Sequence, residues 1–254
     1  MKTGISCVPF AAEPPGAILE RVSAEFRHWE IFSEIFNSVS YNFDIFKDLL
    51  PSYDLSYSVH APIFNINLSA TSELIRKASL EETLRTMRAA SGLGIKTVTI
   101  HPGSFSIPVP ELDEQALRLS RESLEIIDKE AAEYGIIAAV ENMPLDHIPP
   151  LIGVYAEQLE KLLEGTDLSV CFDIGHAHTA GQTDAMIALS DRIANVHIHD
   201  NLGDRDSHMT VGDGNIDFRR IVRGLSGYSG KYIIESRTYE SAAESQSRLE
   251  KMFS

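Results

Sequence analysis

Eight short apolar runs alternate with stretches of helical periodicity along this chain, and that alternation constrains the fold more than any other feature. The expected strands are Thr3–Val8, Arg27–Phe32, Leu55–His60, Ile95–His101, Ile136–Glu141, Leu168–Asp173, Ile193–His199 and Lys231–Glu235. Several are nearly continuous apolar runs, as strands buried on both faces are. Between them lie the expected helices. Pro14-Pro15 opens one that runs to about Phe26, and Asn42–Leu50 stops at Pro51. A long region, broken near Ser79, runs to Ala90 and closes at the glycines of SGLG. Asp113–Tyr134 spaces Leu117, Leu124, Ile127 and Ala131 at helical intervals and ends at Gly135. Tyr155–Leu163, Thr183–Leu189, Phe218–Leu225 and Ser241–Phe253 complete the set. Eight such units predict an α/β fold in which a parallel sheet closes into a single (β/α)8 barrel over residues 1–254. An open doubly wound sheet is the rival, but no glycine-rich phosphate-binding turn follows the first strand.

Charge and cysteine content narrow the class. The chain carries 22 Lys and Arg against 37 Asp and Glu, a formal charge of −15. That balance repels polyanions at long range, whereas nucleic-acid binders show a basic footprint. No run of about 18 apolar residues is present, so no membrane span is expected. The opening MKTGISCVPFAAEPP lacks the charged start and apolar core of a signal peptide. Cys7 and Cys171 stand far apart, which fits a reducing cytoplasm better than a disulfide framework.

The polar residues occupy one kind of place. Expected strands three to eight reach His60, His101, Glu141, Asp173, His197 and Glu235 at or near their C-terminal ends. In an eight-stranded α/β barrel those ends converge on one mouth, where active sites form. Ionisable residues capping apolar strands are costly unless paired or metal-bound, so six in register point to a metal site. The loops add candidates. Asp173 and His176 stand three residues apart across an expected tight turn, and Asp206 and His208 are separated by one residue. His197 and His199 share one face of their strand, because strand side chains alternate. His199 is expected to lie behind the ligands or to face substrate, and His178 is a candidate for substrate contact. Asp204 and Asp213 read as loop residues, Asp217 as a helix cap, and His28 and His147 as packing or surface residues.

The expected ligand set is therefore His60, His101, Glu141, Asp173, His176, His197, Asp206, His208 and Glu235. One divalent ion takes four to six ligands, so nine can hold more than one ion with carboxylates bridging. A set this rich in histidine favours zinc, two or three ions, over manganese or magnesium.

The segments SVHAP, IHPGS, VENMP, FDIGHAHTAG, HIHD, DSH followed by GDGNID, and IIES resemble the xylose isomerase-like TIM barrel superfamily, including its endonuclease IV group, from His60 to Glu235. The resemblance to endonuclease IV implies a three-zinc cluster that cleaves DNA 5′ to an abasic site. All nine ligand positions are matched, with Glu141 and Glu235 in the layer that bridges zinc and orients water. In that group an aromatic and a leucine after HAP probe the damaged DNA. Ile63-Phe64 stand there here, a departure from the pattern, and Phe64 joins His178 and His199 as a substrate-contact candidate. Two further departures weigh against DNA as the partner. GISCVP replaces the usual opening strand, and the modest length implies shortened recognition loops. ENMP, FDIGHA and HIHDN resemble, equally, the sugar isomerase and epimerase branch of the superfamily. That likeness implies one manganese-type or other divalent ion on Glu141, Asp173, His197 and Glu235, with the two glutamates exchanging a proton. The expected partners are thus a small phosphoester or a sugar.

Overall fold

The computed structural model describes residues 1–107 and 109–254. Its strands are β1 (Thr3–Cys7), β2 (His28–Phe32), β3 (Ser56–His60), β4 (Thr97–Ile100), β5 (Ile137–Glu141), β6 (Ser169–Asp173), β7 (Ile193–Ile198) and β8 (Tyr232–Ser236). All pair in parallel with their sequence neighbours, and β1 pairs with β8, so the sheet closes into a barrel. Outside it lie α1 (Pro15–Glu25), α2 (Phe43–Leu49), α3 (Glu73–Gly92), α4 (Asp113–Tyr134) and α5 (Ala156–Leu163). The rest are α6 (Ile174–Thr179), α7 (Thr183–Ile187), α8 (Phe218–Gly224) and α9 (Tyr239–Phe253). The fold is the (β/α)8 barrel expected from the alternation.

Local chemistry explains the boundaries. Pro15 starts α1, where its missing N–H costs nothing. Gly135 ends α4 in the left-handed conformation (φ +62°), its N–H donating to the Ala131 carbonyl. Asp217 caps α8 by accepting from the Arg220 N–H at 2.9 Å. The expected break near Ser79 does not occur, and α3 is continuous. The Ser79 hydroxyl donates back to the Ile75 carbonyl (2.8 Å) and accepts from the Asn67 N–H (2.9 Å), so it is satisfied inside the helix. The tight turn expected after Asp173 is instead the short helix α6, with the Asp173 carboxylate capping it through the His176 N–H at 2.6 Å. α9 begins at Tyr239, two residues early, because Thr238 caps it.

The side chains alternate between two environments. Trp29 and Ile31 of β2 point out to the helical layer, where Trp29 packs on Phe46 with ring centroids 6.3 Å apart. Glu30 between them points into the barrel, whose interior is a polar stack. At its base, His28 meets the Ser56 and Ser58 hydroxyls at 2.9 Å each. Above it, Glu30 accepts from Ser58 (2.7 Å) and Asn195 (2.8 Å), and Asn195 also donates to Thr99 (2.9 Å). Buried polar groups are tolerated when hydrogen-bonded in this way. This stack carries the residues at the mouth.

Candidate metal centre

Glu141, at the end of β5 and 1% exposed, lies at the middle of the mouth. Its Oε2 is 3.2 Å from His60 Nε2 and 2.9 Å from His101 Nε2. Its Oε1 is 3.0 Å from His197 Nδ1. One carboxylate thus faces two groups of donors at once. His60, His101 and Glu141 form the first, and Glu141, Asp173, His197 and Glu235 the second. His176, His199, Asp206 and His208 form a third, and in each group the ligating atoms lie within 4.8 Å of one another. His176 Nε2 and His208 Nε2 approach Asp206 Oδ2 at 3.4 and 3.0 Å.

The structure brings all nine expected ligands together. His199 belongs with them rather than behind them: it is buried, with Nε2 3.2 Å from Asp173 Oδ1 and 3.4 Å from Asp206 Oδ1. Its ring stacks on His208, centroids 4.0 Å apart, and packs so tightly on Gly175 that a Cβ there would overlap the imidazole. His178 turns instead to Asn215, 2.7 Å from its Oδ1, and is not among the residues lining the cavity over the centre. Phe64 does line that cavity, edge-on to Phe32 with centroids 6.0 Å apart. Asp200 organises the loop after β7, accepting from the Gly212 and Gly214 N–H groups at 2.8 and 3.0 Å. His28 is a packing residue of the barrel base, and Asp213 pairs with Arg248 at the surface.

Partners behind the ligands select their tautomers. His197 Nε2 is 2.7 Å from Glu30 Oε1, so the proton sits there and Nδ1 presents its lone pair to the centre. Carbonyl oxygens of Ala61 and Asn142, each 2.8 Å away, accept from Nδ1 of His60 and His176 and leave their Nε2 atoms free. Sequence reasoning missed Glu30 and Asn142. Glu30 left a trace, as the one charge inside the apolar run WEIF. Asn142 left none, since its role is to bond across to the backbone of Asp173 (2.8 and 2.9 Å).

Electrostatics agree with a cation site. Burial opposes ionisation of Glu141, yet His197 and His101 outweigh it and hold the carboxyl well below its usual range. Burial is likewise overcome at Asp173, held at about 2 by His176 and His199, and at Glu30, held at about 2 by His197. His176 and His197 are driven well above the ordinary histidine value, because the carboxylates around them outweigh burial. Burial pushes His101 the other way. Cys171 touches the second group, but burial raises its thiol so far that it stays protonated.

The donor set fits divalent ions. Asp173 Oδ2, Asp206 Oδ1 and both ring nitrogens of His199 are buried without a hydrogen-bond partner. Such orphans are rare in folded proteins, and here they lie among imidazoles and carboxylates, the ligands of zinc and its neighbours. Backbone strain gathers at the same mouth. The non-glycine residues with positive φ among those described are Ile35, Asn65 and His208, all on loops that follow strands.

A cavity of about 360 Å³ opens above the centre. Larger surface depressions beside Arg192 (660 Å³) and between α4 and α5 (490 Å³) hold no comparable cluster of ligating side chains.

Comparisons with known proteins agree with this geometry. The chain is 31% identical to an uncharacterised protein of Methanocaldococcus jannaschii, over 98% of this chain and 88% of that one. It is 28% identical to a probable endonuclease 4 of Acholeplasma laidlawii, over 65% of this chain and 60% of that one. The crystal structure of a D-tagatose 3-epimerase-like protein superposes with a TM-score of 0.90 at 29% identity, covering 100% and 97% of the two chains. The sequence profile of the xylose isomerase-like TIM barrel family matches residues 21–252. The chain therefore belongs to the xylose isomerase-like TIM barrel family.

Proposed function

We propose that this chain is a divalent-metal-dependent phosphoester hydrolase that works with two or three zinc ions, in the manner of endonuclease IV. The observation that carries this reading is Glu141, whose two oxygens face separate ligand groups. A single ion needs only Glu141, Asp173, His197 and Glu235. The multi-ion reading gives His60, His101, Asp206 and His208 a role as further ligands, where a one-ion site would leave them to contact substrate hydroxyls. Ions held by these residues would supply Lewis-acid chemistry, activating water and offsetting negative charge on a phosphoester.

The chain's own groups prepare that chemistry. Glu141 draws two donor groups onto one carboxylate. Glu235 sits at the cavity, Oε1 3.2 Å from His197 and Oε2 3.8 Å from His208, where it can orient water and accept its proton. Glu30, Ala61 and Asn142 engage the far nitrogens of three imidazoles, so that the nitrogen facing the centre is the one that can ligate once its proton leaves. Abasic DNA is the family precedent for the substrate, although the charge of −15 counts against it.

A second reading, sugar epimerisation or isomerisation on one ion, draws on the full-length likeness to the D-tagatose 3-epimerase-like protein. It needs only Glu141, Asp173, His197 and Glu235, with the glutamates moving a proton beside a carbonyl. Metal analysis of the zinc-loaded protein, run beside assays of a chromogenic phosphodiester and of solvent-deuterium exchange into ketoses, separates the two. The hydrolase reading expects two or three ions and phosphodiester turnover. One ion with deuterium exchange would contradict it.

A further inference from the structure

We propose that the substrate of this site is a small phosphoester bearing one apolar, ring-sized group, rather than a nucleic-acid backbone or a free sugar. This rests on the hydrolase reading and adds the substrate class.

The mouth loops carry few cations of their own, and arginines that reach them from the helices are already engaged: Arg21 with Glu13, Arg76 with the Ala70 carbonyl and Arg248 with Asp213. The loops that leave the C-terminal ends of the strands span 8–14, 33–42, 61–72, 101–112, 142–155, 199–217 and 237–238. Of the chain's 22 Lys and Arg they hold only Arg205 and Arg237. Arg237 already leans on the Asp206 carbonyl, at 3.4 Å. A protein that grips duplex DNA neutralises roughly 6–10 phosphates with cationic side chains, and two arginines on one side of the mouth cannot do so.

Above the ligands, the cavity wall is apolar. Phe32, Ile63, Phe64, Met143, Pro149 and Leu151 line it. A monosaccharide carries a hydroxyl on nearly every carbon, and those set against this wall would lose water for few partners, Asn65 and Ser104 among them. Outside the ligand set the polar side chains of the wall are Asn65, Ser104 and His147, and His147 is already engaged through Nδ1 with the Pro149 carbonyl at 2.8 Å. The apolar surface also continues outward, to Ile148 at 91% exposed and Phe64 at 54%. Glu34 holds that side of the rim in place by accepting from the Ile63 and Phe64 N–H groups, both at 2.9 Å. A cavity of about 360 Å³ accommodates a phosphoryl group on the ligand floor and one ring against the wall.

The test is calorimetric binding of phenylphosphonate and methylphosphonate to the zinc-loaded protein, with hydrolysis of bis(4-nitrophenyl) phosphate and nicking of an abasic duplex measured on the same preparation. Phenylphosphonate should bind at least tenfold tighter than methylphosphonate, and the aryl diester should turn over with little salt dependence. In the double variant Phe64→Ser, Ile148→Ser the phenyl preference should collapse to about twofold. Equal binding of the two phosphonates alongside diester turnover would overturn the substrate class and leave the hydrolase reading standing. So would salt-sensitive nicking of the duplex. No cleavage of any phosphoester, together with deuterium exchange into a ketose, would overturn the hydrolase reading itself.

Discussion

The barrel buries histidines at both ends and treats them in opposite ways. At the base, His28 meets two serine hydroxyls, every partner is neutral, and burial pushes it down to about 3. At the mouth, His176 and His197 meet carboxylates and are driven well above the ordinary value, while atoms of Asp173, His199 and Asp206 find no hydrogen-bond partner. Burial alone therefore does not mark a ligand. What distinguishes the mouth is a surplus of carboxylates around the imidazoles, three of which, His60, His176 and His197, have the far nitrogen already engaged.

The largest expected effect removes the centre of that surplus. Glu141→Gln keeps the shape but cannot bridge two donor groups. Zinc content should fall by at least one ion per chain and turnover by roughly a thousandfold, read by elemental analysis and steady-state kinetics. Unchanged metal content would separate Glu141 from the centre.

Next comes the base. His28 stays neutral in the fold down to about 3, whereas the unfolded chain takes up its proton near 6.5. Between these values the unfolded state binds more protons, so stability falls as pH drops through that window, by up to about 5 kcal/mol. Urea unfolding of the metal-free protein should show this slope, and His28→Asn should flatten it. The raised histidines of the mouth slope the other way. His176 and His197 carry raised values, so their contribution is present at low pH and is lost as pH rises through those values. Zinc must displace those protons, so its stabilising effect should grow with pH.

Much of this contrast could be seen in the sequence. Residues that cap apolar strands in register announced the mouth, and the β/α alternation announced the barrel. That His199 lies among the ligand candidates is not legible in strand parity, which shows which residues share a face but not which loop folds back to meet them. Its place depends on α6 and Gly175, where local sequence suggested a tight turn. Glu30 lies far away in sequence, and only closure of the sheet brings it within 2.7 Å of His197. Ser79 looked like a helix break because its hydrogen bond to Asn67 comes from a separate loop.

Glu30→Gln sharpens the comparison at its boundary, where base and mouth meet. The amide offers His197 a weaker acceptor, so zinc affinity should fall about 10–100-fold, measured by chelator competition, with the fold intact. The smallest effect lies outside both layers. Asp217→Ala removes one cap from α8 and should cost about 1 kcal/mol in thermal unfolding without altering zinc content.

The central claim is that Glu141 joins two donor groups into one multi-ion centre. Diffraction from zinc-loaded crystals, with data collected on both sides of the zinc edge, counts the ions and names their ligands. Two or three ions are expected, with Glu141 bridging the one held by His60 and His101 to the one held by Asp173, His197 and Glu235. A single ion on the latter group, with His60 and His101 unligated, would contradict the account.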